Sequence, residues 1–184
     1  MLLFRFDFVQ LEAFTCFIIQ PYLLSKDHMK YTGYTLSFQE VPGETSFAIS
    51  ISNCPFRCSG CHSAYLQTDV GYHLTSEVLL QLLSKYQSPH TGAYTVTCVV
   101  FFGGEQHHEE FIELATFVNS LNLQVCLYTG AELPDIHPEI LSVCQYIKTG
   151  PYVSSMGGLT NRTTNQRMYD LLTHTDITHK FWED

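Results

Sequence analysis

The sequence predicts a single α/β domain built on a mostly parallel sheet. Apolar, β-branched runs alternate with segments of helical periodicity in the order strand, helix, strand, helix, strand, helix, strand. Such alternation is typical of parallel strands joined by crossover helices. Because parallel strands end at the same edge of a sheet, and ligands bind outside their carboxyl ends, a functional site is expected at that edge. About four such strands could form an open sheet or part of a barrel.

The first half of the chain contains two predicted strands and one helix. Residues 46–52 form an alternating apolar run that predicts a strand. Apolar positions recur at helical spacing over residues 78–86, between a Thr75-Ser76-Glu77 start signal and Ser88-Pro89. Residues 94–102 are apolar nearly throughout towards their end, which predicts a central strand covered on both faces.

The second half continues the same alternation. Residues 110–121 predict an amphipathic helix, 123–128 a strand, 138–141 a short helix and 144–148 a further strand. Residues 168–172 are interpreted as a helix-like terminal segment.

A turn follows each predicted strand. These turns are the cysteine-rich loop 53–63, Gly103-Gly104-Glu105, Tyr128-Thr129-Gly130 and Lys148-Thr149-Gly150. Because the strands are parallel, the four turns are expected to converge on one face of the domain.

Composition and charge exclude several classes of function. The 184 residues are 45% hydrophobic, enough to bury a full core, and 18 acidic residues against 9 basic ones give a net charge of −9. A phosphate-tracking surface needs the opposite sign, so nucleic acid is not an expected partner. No Walker-type loop or GxGxxG motif indicates a nucleotide. Seven cysteines, three of them clustered, indicate ligation in a reducing cytoplasm rather than disulfides.

Residues 1–28 are interpreted as an accessory extension or the product of an upstream start, ahead of a domain at residues 29–184. They are rich in Phe, Leu and Ile, but charged and polar residues such as Asp7 and Gln10 interrupt the apolar run. The segment therefore matches neither a membrane span nor a signal peptide, and no membrane partner is expected. A chain that begins at Met29 is expected to keep full activity.

The loop after the first strand has the spacing C-x3-C-x2-C, formed by Cys54, Cys58 and Cys61. A closed zinc site needs four ligands, whereas a 4Fe-4S cluster held by three can leave one iron open to bind a substrate. From these cysteines alone two alternatives stay open. One is a zinc site completed by His73 or Cys98, and the other is a disulfide with a spare thiol.

The motif Gly103-Gly104-Glu105 follows the strand at residues 94–102. The glycines permit close approach of a ligand, and the carboxylate suits an ammonium group. An isolated motif of this kind is an ordinary strand-to-helix turn. Its combination with the cysteine loop favours a functional site.

Together the two motifs resemble those of the radical S-adenosylmethionine superfamily, in which C-x3-C-x2-C ends the first strand and a GGE-like turn ends the second. Within it the chain is most similar to the activating component of anaerobic ribonucleotide reductase. The likeness covers roughly residues 29–182 and rests on the small size, Gly60, His62 and the run Thr164-Asn165-Gln166-Arg167.

The resemblance implies a curved sheet of the partial (β/α) barrel type and a 4Fe-4S cluster held by Cys54, Cys58 and Cys61. S-adenosylmethionine would chelate the fourth iron, and the chemistry would belong to these cofactors rather than to a catalytic side chain. Reductive cleavage would give methionine and a 5′-deoxyadenosyl radical, which removes hydrogen from a glycine of the reductase. The residues implied to line this pocket are Gly60, Cys61, His62, Gly103, Gly104 and Glu105.

The resemblance also implies partners, namely anaerobic ribonucleoside-triphosphate reductase and a flavodoxin- or ferredoxin-type electron donor. The long loop at residues 154–167 is interpreted either as a surface that docks the partner or as a plain surface excursion. One alternative function is activation of another glycyl-radical enzyme, of the formate-lyase type. The alternative from a different class is a non-enzymatic metal-binding or electron-transfer module.

The remaining cysteines and two of the histidines are interpreted as structural residues rather than metal ligands. Cys98, Cys126 and Cys144 lie in strand-like runs and are expected to be small buried core residues. His107 and His108 fall in a polar first turn and are expected to be solvated.

Overall fold

The computed structural model describes residues 28–182, which contain an eight-stranded mixed sheet. Its strands are β1 (Lys30–Ser37), β2 (Ser46–Ile51), β3 (Tyr72–His73), β4 (Cys98–Phe102), β5 (Gln124–Tyr128), β6 (Tyr146–Thr149), β7 (Arg167–Asp170) and β8 (Thr175–Asp176). Their order across the sheet is β3-β1-β2-β4-β5-β6-β7-β8. Strands β2, β4, β5 and β6 pair in parallel, and the flanking strands pair antiparallel. The prediction of an α/β domain with a mostly parallel central sheet is confirmed.

Three α-helices in this part of the chain cover one face of the sheet. They are α1 (Ser76–Ser84), α2 (His108–Ser120) and α3 (Pro138–Val143). Large side chains such as Phe47 and Phe101 point to this face, and Phe101 meets Phe111 of α2 edge to face at 5.4 Å between ring centroids. The opposite face carries smaller side chains, including Ala48 and Cys126, beneath loop residues. The central strands are therefore covered on both faces, as their apolar composition predicts.

Substitutions in helix α1 can measure how much this core packing contributes to the free energy of unfolding. Leu83 is fully buried, whereas Leu80 of the same helix is 41% exposed. Leu83→Ala is expected to lower the free energy of unfolding by about 2–5 kcal/mol, because it removes buried methyl groups and leaves a cavity. Leu80→Ala serves as the matched control and should change it by less than about 1 kcal/mol. Equal losses in denaturant titrations of the two variants would contradict the observed orientation of α1.

The structure corrects two expectations about individual elements. The strand expected over residues 94–102 begins only at Cys98, and Tyr94 instead forms an isolated bridge with Gln87. The helix-like interpretation of residues 168–172 is wrong, because β7 pairs antiparallel with β6 there. So short a segment shows no clear period, and pairing with β6 decides its conformation.

The interpretation of residues 1–28 as an accessory segment concerns a part of the chain that, except for His28, lies outside the described residues. Within residues 28–182, no helix has the length and apolar content needed to cross a bilayer.

Candidate functional site

The turns after β2, β4, β5 and β6 lie together at one edge of the sheet, as the parallel topology predicts. Gln106 donates from Nε2 to the carbonyl oxygen of Asn53 at 3.1 Å, which joins the turn after β4 to the cysteine loop. The Thr129 hydroxyl donates to Glu105 Oε1, which joins the turn after β5 to the turn after β4. Lys148 Nζ donates to the carbonyl oxygen of Thr129 at 3.3 Å. Four separate segments therefore form one site.

Backbone hydrogen bonds and one aromatic contact fix the cysteine loop in this site. The amide of Cys54 donates to the carbonyl of Leu66 at 2.8 Å, and the amide of Cys61 donates to that of Cys58 at 3.3 Å. The Phe56 ring lies so close to Gly130 that a Cβ at this glycine would be 2.6 Å from it. Cys54, Cys58 and Cys61 are free and half-buried. The loop thus presents three thiols at the sheet edge.

This contact between Phe56 and Gly130 gives a testable prediction about the loop. Gly130→Ala is expected to displace the cysteine loop and lower the iron bound after anaerobic reconstitution, because its Cβ would overlap the Phe56 ring. Gly33→Ala is the control, since no atom lies within 4 Å of a Cβ at that position. Iron and sulfide analysis of both variants measures the effect. Normal iron content in Gly130→Ala would show that the loop does not depend on this contact.

At least one pair of the three thiols is further apart than two ligands of a single zinc ion. Sulfur atoms on one tetrahedral zinc, at bonds of about 2.3 Å, lie about 3.8 Å apart. The thiols are not among the described groups whose ligand atoms all lie within 4.8 Å of one another. The two alternative fourth ligands are also engaged elsewhere. Cys98 is fully buried at the amino end of β4, opposite the site, and His73 contacts Glu110.

Glu105 brings an unpaired acceptor into the site. Its Oε1 accepts from Thr129, but its Oε2 is inaccessible to solvent and has no hydrogen-bond partner. Burial raises the pKa of this carboxyl, while the Thr129 hydrogen bond and the charge of Lys148 oppose that rise. A buried acceptor without a partner is costly, so the geometry fits a ligand that donates to Oε2.

Lys148 is a further candidate for the functional site. The sequence did not identify its charge as part of that site. Its side chain is buried, and Nζ donates to the carbonyl of Gly150 at 2.8 Å as well as to that of Thr129. Burial lowers the pKa of Lys148 to about 8, against the opposing charges of Cys58 and Glu105. The sequence feature that could have identified it is the position of a single lysine near the end of a predicted central strand.

Acidic groups surround the cysteine loop. Burial raises the pKa of the Cys54 thiol, and the negative charges of Glu105, Cys58 and Cys61 raise it further. A raised pKa favours the protonated thiol, so a metal that binds Cys54 would have to displace its proton. Lys148 is a buried cation close to this group of acidic side chains.

Gly60 and His62 lie beside the loop that follows β6, whereas Gly104 packs against the core. Gly60 has φ +74°, and a Cβ there would lie 3.4 Å from Ser154 Cβ. The His62 ring lies 5.4 Å from the Tyr152 ring. A Cβ at Gly104 would lie 2.8 Å from Met29 Cε, so this glycine also makes room for the core. The loop after β6 thus borders the cysteine loop.

The other cysteines and histidines agree only in part with expectation. Cys98, Cys126 and Cys144 are buried in the core, as predicted. The prediction that His107 is solvated is wrong, because this residue precedes α2 with a buried ring whose Nε2 has no partner. His108 is partly exposed and pairs with a carboxylate of α3.

Comparison with known proteins agrees with the chemistry of the cysteine loop. The sequence profile of the "4Fe-4S single cluster domain" family matches residues 40–171, which is most of the chain. The chain belongs to this family. Membership of the 4Fe-4S single cluster domain family assigns the chain a 4Fe-4S cluster. With the C-x3-C-x2-C loop, it supports the resemblance to the radical S-adenosylmethionine superfamily.

A solved structure and curated sequences were also compared with the chain. The structure is similar to QueE from Escherichia coli, at 15% identity and a TM-score of 0.41, over 66% of this chain and 71% of the QueE chain. No curated protein sequence matches significantly.

Proposed function

We propose that this protein is a radical S-adenosylmethionine activase that generates the glycyl radical of anaerobic ribonucleoside-triphosphate reductase. The observation that carries the proposal is the meeting of three free thiols with the unpaired carboxylate oxygen of Glu105 and the buried cation of Lys148. The family membership and the sequence resemblance support it.

The cysteine loop fits a cluster that leaves one iron open. At least one pair of its thiols is more than 4.8 Å apart, which is wider than the ligand spacing around one zinc ion. When bound, the cluster and S-adenosylmethionine supply a 5′-deoxyadenosyl radical, using one electron from a flavodoxin- or ferredoxin-type donor, and this radical removes a hydrogen atom from a glycine. Cys54, Cys58 and Cys61 would hold the cluster beside the turns after β4 and β5.

Glu105 and Lys148 fit the two charged ends of an amino acid. The methionine part of S-adenosylmethionine carries an ammonium group and a carboxylate. Oε2 of Glu105 would accept from the ammonium group, which satisfies its buried acceptor. Lys148 uses two of its three N–H donors on the carbonyls of Thr129 and Gly150, so the third is left to donate to the ligand carboxylate.

The loop at residues 154–167 is proposed to dock the reductase. It borders the cysteine loop, because Ser154 lies next to Gly60. The side chains of Asn165 and Arg167 donate hydrogen bonds to the carbonyls of Pro151 and Thr164, respectively, so their substitution would disturb the loop itself. Exposed Thr160 is the better position for a test of docking.

Radical transfer to the partner tests the proposal. The reconstituted, reduced protein is mixed with S-adenosylmethionine and either anaerobic ribonucleoside-triphosphate reductase or a formate-lyase type enzyme, and the glycyl radical is followed by electron paramagnetic resonance. We expect the signal with the reductase. Thr160→Arg should weaken it without changing S-adenosylmethionine cleavage in the absence of partner. A signal only with the formate-lyase type enzyme would replace the proposed partner, and a bound cluster that cleaves no S-adenosylmethionine would favour an electron-transfer module.

A further inference from the structure

Two imidazoles and a carboxylate meet where β1 and β3 adjoin the first turn of α2. His28 precedes β1, His73 belongs to β3, and Glu110 belongs to α2. One ligand atom from each of the three side chains lies within 4.8 Å of the other two. We propose that these residues form a second metal site, separate from the cysteine loop, that binds a divalent transition ion such as Zn²⁺.

The distances within this group are near those of a four-coordinate zinc site, but they are not equal to them. Glu110 Oε1 lies 2.9 Å from His28 Nδ1 and 3.8 Å from His73 Nε2. Around zinc, with bonds of about 2.0–2.2 Å, adjacent nitrogen and oxygen ligands lie about 3.3–3.5 Å apart. The two imidazoles are stacked, with centroids 4.2 Å apart, and a nitrogen of each approaches the same carboxylate oxygen. Small side-chain shifts would bring the three atoms to equal spacing, with water as the fourth ligand.

The carboxylate of Glu110 is already oriented for this role. Its Oε2 accepts from the backbone amide of Met29 at 2.5 Å, which leaves Oε1 towards the imidazoles. Partial burial would raise the pKa of this carboxyl, but hydrogen bonds from His28 and Met29 and the adjacent histidines lower it overall. An ionised carboxylate held by an outer hydrogen bond is the arrangement that orients a metal ligand.

A second group of the same composition is less suitable. In it, His108 Nε2 lies 2.9 Å and His137 Nδ1 3.6 Å from Glu139 Oε2. However, His137 Nδ1 also accepts a hydrogen bond from the backbone amide of Glu139 at the start of α3. This nitrogen therefore caps the helix and is not free to bind a metal. The Glu139 side chain is 65% exposed, against 29% for Glu110. This second group therefore provides a matched control.

A bound ion would join three separate segments beneath the proposed cofactor site. Met29, next to His28, packs against Gly104, and the carbonyl of Lys30 accepts from the amide of Ser52 at 2.9 Å. These contacts lie under the turn after β4 and the entry to the cysteine loop. Because an ion that binds only the folded chain stabilises it, zinc is expected to raise the unfolding temperature.

Zinc binding by the full-length, cluster-loaded protein tests the proposal. The anaerobically reconstituted protein is equilibrated with Zn²⁺ at micromolar concentration, separated by gel filtration, and analysed for zinc and iron. We expect one zinc per chain in addition to the cluster iron. His73→Gln and Glu110→Gln should each weaken zinc binding at least about tenfold. The double variant His108→Gln/His137→Gln should bind zinc as the wild type does.

Two other outcomes would contradict the proposed zinc site. If no zinc is retained, or if His73→Gln retains it equally, the group is an exposed ion pair only. His73 is 44% exposed, so its variant remains informative if Glu110→Gln fails to fold. The zinc-binding experiment is repeated with Cys54, Cys58 and Cys61 all replaced by serine. Zinc should still bind in this variant, which has no cluster, so the result does not depend on the radical chemistry.

Discussion

Cys58→Ala is expected to prevent assembly of the 4Fe-4S cluster. Within residues 28–182, three thiols meet at the carboxyl edge of the sheet, and the other three cysteines are buried in the core. Removing one ligand leaves two iron atoms of the cluster without a protein ligand, since one is already open. Iron, acid-labile sulfide and cluster absorbance after anaerobic reconstitution should all fall to background.

Cys144→Ala is the matched control for this loss. Cys144 is a buried free thiol next to α3, on the helix-covered side of the sheet, and burial raises the pKa of its thiol to about 12. Its place in the core, away from the cysteine loop, keeps this thiol from contacting a cluster. The Cys144 variant should therefore keep normal iron content. Loss of the cluster in Cys144→Ala but not in Cys58→Ala would overturn the ligand assignment.

Glu105→Gln is expected to weaken S-adenosylmethionine binding strongly while leaving the cluster in place. The substitution preserves shape, and Thr129 can still donate to the amide oxygen, so mainly the negative charge is lost. A hydrogen bond to a charged group contributes about 1.5–3 kcal/mol, which corresponds to roughly 10- to 150-fold in affinity. The KM for S-adenosylmethionine should rise by about this factor, with a smaller change in kcat.

Two further variants sharpen this prediction. Glu113→Gln removes an exposed carboxylate from α2 and should leave the KM unchanged. Lys148→Met removes the buried cation at the other side of the site and should also raise the KM, because the ligand carboxylate would lose its donor. An unchanged KM in both Glu105→Gln and Lys148→Met would show that these side chains do not contact the ligand.

The central parallel strands and the convergence of their turns could be predicted because the signals are local. Residues 46–52 carry an alternating apolar run, and residues 123–128 carry a largely apolar one that is followed by Thr129-Gly130, so each segment by itself predicts a strand. Parallel pairing then follows from the intervening helices, and it places the cysteine loop beside Glu105.

The flanking strands and the buried charges could not be predicted in this way. β7 has only four residues, and its conformation depends on pairing with β6 rather than on its own pattern. His107 and Lys148 are both buried, and a polar residue next to a turn does not by itself predict burial, although the position of Lys148 near the end of a predicted central strand was a weak indication. The grouping of His28 with Glu110 is equally a product of tertiary structure.

Reductive cleavage of S-adenosylmethionine is the reaction by which the proposed radical chemistry can be measured. The wild-type protein is reconstituted with iron and sulfide, reduced with dithionite under anaerobic conditions, and supplied with S-adenosylmethionine, and 5′-deoxyadenosine and methionine are quantified. We expect equal amounts of the two products from the wild type and none from Cys58→Ala. An intact cluster without product, or zinc at the three thiols in its place, would contradict it.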